Sequence, residues 1–325
     1  MLDALPLQPI KLEDNMRKVL FELTAALLLS LSLVATSCVS TTVSAQTVSS
    51  GVTQTEYMGN ASTTVASKAV SGGITGSSVF IDGRSVELYV KWASDHEVTQ
   101  GEYEKYCTYG GTTPSSAYGK GANYPVYYVS WYDALVYCNK RSIAEGLTPC
   151  YSISGKTNPS EWGSVPANNN ATWNNAECDF TANGYRLPTE AEWEYLARGG
   201  NRGNSGQTTY SGSDTIGDVA WYSDNAYAMG VGKAGYGSHE VKTKAKNAKG
   251  LYDMSGNVWE WCWDWYGNIS TGTSSTGASS GSLRVDRGGG WIYDSDDCRV
   301  ARRNSYSPYG RNVNIGFRVV RTLGI

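Results

Sequence analysis

The chain has 325 residues, 40% apolar and 18% charged, with a formal net charge of −3. That length suits one large core or two ordinary domains, and so balanced a charge excludes a protein that binds nucleic acid by electrostatic attraction. Two histidines in the whole sequence exclude a multi-histidine metal enzyme. The aromatic class is skewed, with 23 Tyr and 11 Trp against 4 Phe. Tyr and Trp join a large apolar body to a polar handle, so the skew favours half-buried or recognition surface over a purely apolar core. Thirty-seven Gly beside nine Pro add turns that need positive φ.

At the N-terminal end, Leu23 to Val34 is an apolar run preceded by Met16, Arg17 and Lys18. It is too short to cross a bilayer comfortably and has the layout of an export signal. Met16 is the expected start and residues 1–37 the expected signal peptide. Small residues lead into Cys38 in a segment that resembles a bacterial lipobox, which implies lipidation at Cys38 and a bacterial envelope protein, lipid-anchored at the outer membrane or cell surface. Residues 38–77 are rich in Ser, Thr, Val, Gly and Ala with few charges, so a flexible tether is expected there. Beyond residue 37 the charge is near neutral, leaving no polybasic arm for nucleic acid.

A folded domain is expected over 78–325. Three helix starts carry a capping box, Ser or Thr followed three residues later by an acid. Thr99 with Glu102 precedes GEYEKYC. Ser130 with Asp133 precedes a helix ending before Gly146, and Thr189 with Glu192 one ending before Gly199-Gly200. Long Gly, Asn and Ser-rich loops between them argue against a βαβ repeat. The run Val258-Trp259-Glu260-Trp261-Cys262-Trp263-Asp264-Trp265 alternates with period two. As a strand it puts four Trp on one face, and Val258, Glu260, Cys262 and Asp264 on a face that must be solvated or bind something. Six cysteines follow Cys38 without a CxxC pair. Disulfides and buried free thiols both stay open.

Several blocks occur in a telling order: Glu97-Val98-Thr99-Gln100; Val129-Ser130-Trp131-Tyr132-Asp133-Ala134; Gly184-Tyr185-Arg186-Leu187-Pro188-Thr189-Glu190-Ala191-Glu192-Trp193-Glu194; and Gly250 through Trp261 (GLYDMSGNVWEW). Arg287-Gly288-Gly289 and Ile315-Gly316-Phe317-Arg318 complete them. Together they resemble the formylglycine-generating-enzyme, or sulfatase-modifying-factor, family over about residues 78–322. The resemblance implies an α+β, C-type-lectin-like fold: irregular, with two long helices, a twisted, mostly antiparallel sheet and long loops. Catalytic members hold copper with two cysteines five residues apart after the Gly-Gly; here those positions are Tyr293 and Cys298. A single thiolate cannot supply soft two-sulfur ligation, so no copper and no enzyme activity are expected. The alternative is a copper-dependent formylglycine-generating oxidoreductase that works through Cys298. The family's calcium ligands correspond to Asp253, Gly256, Val258 and Glu260, and two carboxylates with two carbonyls suit a structural Ca²⁺.

Residues 290–314 interleave Trp291, Cys298, Arg299, Ala301, Arg303, Pro308 and Arg311 with small and polar positions. From Ile292 to Phe317 there is no Lys, Glu, Gln, Met or Trp, the five residues unreachable when the third codon base is a pyrimidine. This segment, expected to vary over about 290–317, resembles the variable region of diversity-generating-retroelement proteins. The resemblance implies diversification at Ile292, Tyr293, Asp294, Ser295, Asp296, Asp297, Val300, Arg302, Asn304, Ser305, Tyr306, Ser307, Tyr309, Gly310, Asn312, Val313 and Asn314. Tyr with Ser, Asn, Gly and Asp is also the palette of a paratope. The expected function is binding of a protein or other surface ligand through this C-terminal face, with no nucleic-acid partner and with the membrane reached through the lipid anchor.

Overall fold

The computed structural model describes residues 78–81, 84–200 and 207–322, and the backbone of two strands at 54–56 and 63–66. The chain divides into Met1–Gln46, outside the described residues, and Thr47–Ile325, which holds everything below. The expected signal peptide and Cys38 lie outside the described residues.

Strands β1 (Gln54–Glu56) and β2 (Thr63–Ala66) lie in the stretch expected as a tether. β1 pairs with β4 (Trp92–Ser94), and β2 with β3 (Ser85–Leu88). Thr and Val are strand formers, so low charge alone did not mark a linker. Helices α1 (Gln100–Glu104), α2 (Trp131–Ala144) and α4 (Glu190–Ala197) begin at the three expected capping boxes, with both reciprocal bonds in each. Between α2 and α4 come β5 (Tyr151–Ser152), α3 (Ala171–Asn174), β6 (Glu177–Cys178) and β7 (Tyr185–Arg186). A short α5 (Ile216–Val219) precedes β8 (Trp259–Trp265), β9 (Arg284–Arg287), β10 (Arg303–Tyr306), β11 (Ile315–Gly316) and β12 (Val320–Arg321).

One four-stranded sheet has the order β1-β4-β12-β7, and the other β10-β9-β8-β11. All pairings are antiparallel except β11 with β8. Helix α2 is buried on most of its circumference, as a helix inside a core must be. Trp131 at its start donates Nε1–H to the Cys262 carbonyl of β8 (3.0 Å), and Trp261 returns a bond to the Val129 carbonyl (3.1 Å). These two bonds tie helix to sheet. The six described cysteines are free thiols, five of them buried, so the disulfide alternative is not the one realised.

The acidic face of β8 departs from expectation. Glu260 and Asp264 are buried, because α4 packs over that face. Trp193 Nε1 donates to Glu260 (2.6 Å), and the Glu190 amide to Asp264 (2.8 Å). The acids of α4 are buried too, each facing arginine. Glu192 takes Arg186 (2.6 and 2.9 Å), Glu194 takes Arg287 and Arg198, and Glu190 takes Arg303 (2.6 and 2.7 Å). Breaking one such buried pair costs about 3–5 kcal/mol, since it strands a charge out of water.

Candidate functional site

Cross-strand register sorts the second sheet into two faces. Opposite residues share a face, so Glu260, Arg287 and Arg303 lie toward α4, while Trp261, Asp286 and Asn304 lie on the other side. The 290–314 segment reaches that second face through β10 and the loops around it. Its interleaving has a physical basis. Trp291, Cys298, Ala301 and Pro308 are buried, and Arg303 is clamped to Glu190 beneath the sheet. Arg311 forks onto Asp133, the capping acid of α2 (2.7 and 3.1 Å). The Asn312 carbonyl accepts from the Tyr128 amide (2.9 Å). Arg299 and Arg302 pair with Asp296 and Asp297 at the surface (2.5 and 2.8 Å).

Most of the expected diversified positions are exposed or half-buried: Asp294, Asp296, Arg302 and Tyr306 are exposed, while Ile292, Tyr293, Ser295, Asp297, Asn304 and Ser307 are half-buried, as are Tyr309, Gly310, Asn312 and Val313. Three depart from a shared outward face. Val300 is 1% exposed and packs with Trp193 and Leu196, so a valine there fills core. Asn314 is 2% exposed, and its carbonyl accepts the Trp259 amide (2.8 Å). Ser305 alternates onto the Arg303 side of β10, away from Asn304 and Tyr306.

Four of the positions meet at the rim of a small, open cleft of about 20 Å³: Tyr293, Asn304, Tyr306 and Asn312. Its floor is Trp259, Asp286, Asn314 and Ile315. The Tyr293 ring stands edge-on to Trp259 at 5.5 Å, and Tyr306 leans over Trp261 at 6.2 Å. Asp286 is absent from the expected set. The alternation Arg284-Val285-Asp286-Arg287 is the signal that places it opposite the α4 side. Burial pushes its carboxyl up to about 8 against a hydrogen bond from Asn304.

Cys298 lies under this region, fully buried, and burial raises its thiol far above the ordinary range. The turn beside it needs glycine: Gly289 has φ +80°, and a Cβ there would sit 2.7 Å from Cys298 Sγ.

The expected calcium ligands split. Glu260 is held by Arg318 (2.5 and 2.6 Å) and by Trp193, which meets its need for a cation without an ion. Asp253 sits in a left-handed turn (φ 57°), accepts the Lys242 amide and is pushed by burial to about 6. Glu97 is raised well above its usual range by burial, then by the charges of Asp253 and Glu260. The surplus of buried carboxylate fits a cation, and Asp253 is the acid of the set free to hold one. Among the described residues no three His, Cys, Asp or Glu side chains are gathered in a metal-binding group.

Residues 48–323 match the sulfatase-modifying factor enzyme 1-like domain. A chaperone protein LppX of Paenibacillus barcinonensis is 36% identical over 257 residues, covering 76% of this chain and 85% of that protein. A formylglycine-generating enzyme of Streptomyces coelicolor is 36% identical over 160 residues, 45% of this chain and 50% of the enzyme. The chain thus spans about half the length of that relative. Among solved structures, Treponema denticola variable protein 1 is similar at a TM-score of 0.63 and 34% identity, covering 81% of this chain and 93% of that one. CarF is similar at 0.56 and 27%, with 71% and 86% covered. The α+β fold is the C-type-lectin-like one expected for these blocks, and the resemblance to variable proteins seen in the sequence extends to the structure. With its family blocks built into the buried network and a domain match over most of its length, the chain belongs to the sulfatase-modifying-factor family.

Proposed function

We propose that this protein is a binding scaffold: a C-type-lectin-like domain that presents a diversified C-terminal face to a protein or other surface ligand and performs no chemistry. The observation that carries the reading is the sorting of residues 290–314. Framework residues are buried or ion-paired, and most of the intervening Tyr, Asp, Ser and Asn positions are exposed or half-buried, four of them around one cleft. Rigid support under adaptable side chains is how a recognition surface tolerates substitution. Tyr293 stands where catalytic relatives have their first thiol, and the second, Cys298, is sealed in the core.

Sequencing the locus tests diversification. A near-copy of the codons for 290–317, differing at adenines and beside a reverse transcriptase, is expected; its absence removes the claim. Binding is tested separately by Tyr293→Ala, Tyr306→Ala and Tyr309→Ala combined, which should abolish capture of a partner selected from a display library. Copper-dependent oxidation of a CxPxR peptide by the purified protein would overturn the non-catalytic reading.

Envelope display through lipidated Cys38 belongs to the same proposal, supported by the apolar run before it. Mass spectrometry should find an acylated Cys38 at the mature N-terminus, and an unmodified downstream terminus would contradict this. A structural Ca²⁺ on Asp253 with the Gly256 and Val258 carbonyls also belongs to it, supported by the buried carboxylates there. EDTA should lower Tm by several degrees; an unchanged melting curve with no bound ion by elemental analysis removes calcium.

A further inference from the structure

The floor of the cleft has a chemistry of its own. Trp259, Asp286 and Ile315 lie outside the expected diversified set, and Asn314 is buried beneath it. Three polar atoms on this floor, Trp259 Nε1, Asp286 Oδ1 and Asn314 Oδ1, are shielded from solvent and have no hydrogen-bond partner. Each belongs to a side chain 2% exposed or less. Buried polar atoms are nearly always bonded. Trp131, Trp193 and Trp261 follow that rule, each donating Nε1–H within 3.1 Å. Three unmet atoms on residues that line one cleft mark a place where a ligand recovers what burial costs.

The inventory defines the ligand. Trp259 Nε1 is a donor only, whereas Asp286 Oδ1 and Asn314 Oδ1 accept. Their complement is a group with one acceptor and two donors, and a primary carboxamide is such a group. An ammonium or guanidinium has no acceptor for the indole N–H, and a carboxylate has no donor for Asn314 Oδ1. The aromatic rings of Trp259, Tyr293 and Tyr306 make flat walls for a planar group. Burial raises the Asp286 carboxyl above its ordinary range, which weakens its hold on a cation.

We propose that the cleft binds the primary carboxamide of a partner's Asn or Gln side chain, with the buried floor selecting that group and the exposed rim selecting its surroundings. The identity of the partner as a protein rests on the binding-face reading; the chemistry of the floor does not, and is tested without a partner.

The reporter is the Trp259 indole N–H resonance in a ¹H–¹⁵N spectrum of the intact chain, assigned by its loss in Trp259→Phe. Millimolar propionamide should move it, while n-butylammonium and propionate should leave it in place. N-acetylglutamine methylamide should bind at least as tightly as propionamide, which distinguishes a side-chain source from a free amide. Asp286→Asn keeps an acceptor oxygen in the same shape and should hold propionamide within about threefold. Asp286→Leu, checked for an unchanged near-UV spectrum, should weaken it about tenfold or more. The proposal is overturned if n-butylammonium moves the resonance as far as propionamide does. It is equally overturned if no probe moves it, if folded Asp286→Asn no longer binds, or if the response survives Asp286→Leu. Any of these leaves the triple-tyrosine test of the face untouched.

Discussion

The two faces of the β10-β9-β8-β11 sheet both bury polar groups and treat them in opposite ways. Toward α4, Glu260, Arg287, Arg303 and the glutamates of the helix are paired, often through two bonds, with side chains 6% exposed or less. On the far face, Asp286 Oδ1, Asn314 Oδ1 and Trp259 Nε1 are buried without partners, beside a rim of Tyr and Asn. A buried charge is therefore no mark of function in this fold. The informative state is a buried polar group left unmet, because it costs free energy that a purely structural site would have relieved.

The comparison breaks first on the paired side. Arg318→Ala strands Glu260 beside Glu97 and Asp253, and should cost about 3–5 kcal/mol in urea unfolding. A loss under about 1 kcal/mol would show that the network is ornamental. Next comes pH. Burial pulls the His96 imidazole down, but hydrogen bonds to Asp95 (2.5 Å) and Glu102 outweigh it and raise it from 6.5 to about 8. Its folded value lies above the free one, so its stabilising share is complete below about pH 6.5 and is lost as pH rises through about 8. That share is about 2 kcal/mol, and His96→Asn should flatten the stability curve across that window. An unflattened curve would place the slope elsewhere.

Smaller effects belong to the far face. Tyr306 is 37% exposed at the end of β10, so Tyr306→Ala should change stability by no more than about 0.5 kcal/mol while weakening partner binding. Smaller still is Gly310→Ala. A Cβ there runs into the Tyr306 ring, the movable end of a side chain. Stability should shift by only a few tenths of a kcal/mol, about the size of a tolerated surface change, but Tyr306 must swing away. Binding through Tyr306 should then respond to position 310, and independent effects at the two sites would contradict the packing.

What the sequence made legible was local. The three capping boxes and the Trp alternation are short-range patterns, and each is present as read. The face of Glu260 and Asp264, expected to be solvated or to bind something, is instead buried against α4, and its partners are distant in sequence. Arg318 lies 58 residues from Glu260, and Arg303 lies 113 from Glu190. Within 290–314 the sequence does not say which expected positions face outward. Strand alternation turns Ser305 away, and core packing claims Val300. Asp286 sat in plain view within Arg284-Val285-Asp286-Arg287, yet only the register with Trp261 and Asn304 shows that it floors the cleft.

The central claim is that one side of the sheet holds the fold while the other is free to vary. It is tested most directly by a display library scored for protease-resistant folding. One half would randomise the outward positions among 292–313, and the other the seven framework residues Trp291, Cys298, Arg299, Ala301, Arg303, Pro308 and Arg311. Most outward variants should fold and most framework variants should not. Equal loss of folding in the two halves would contradict the account.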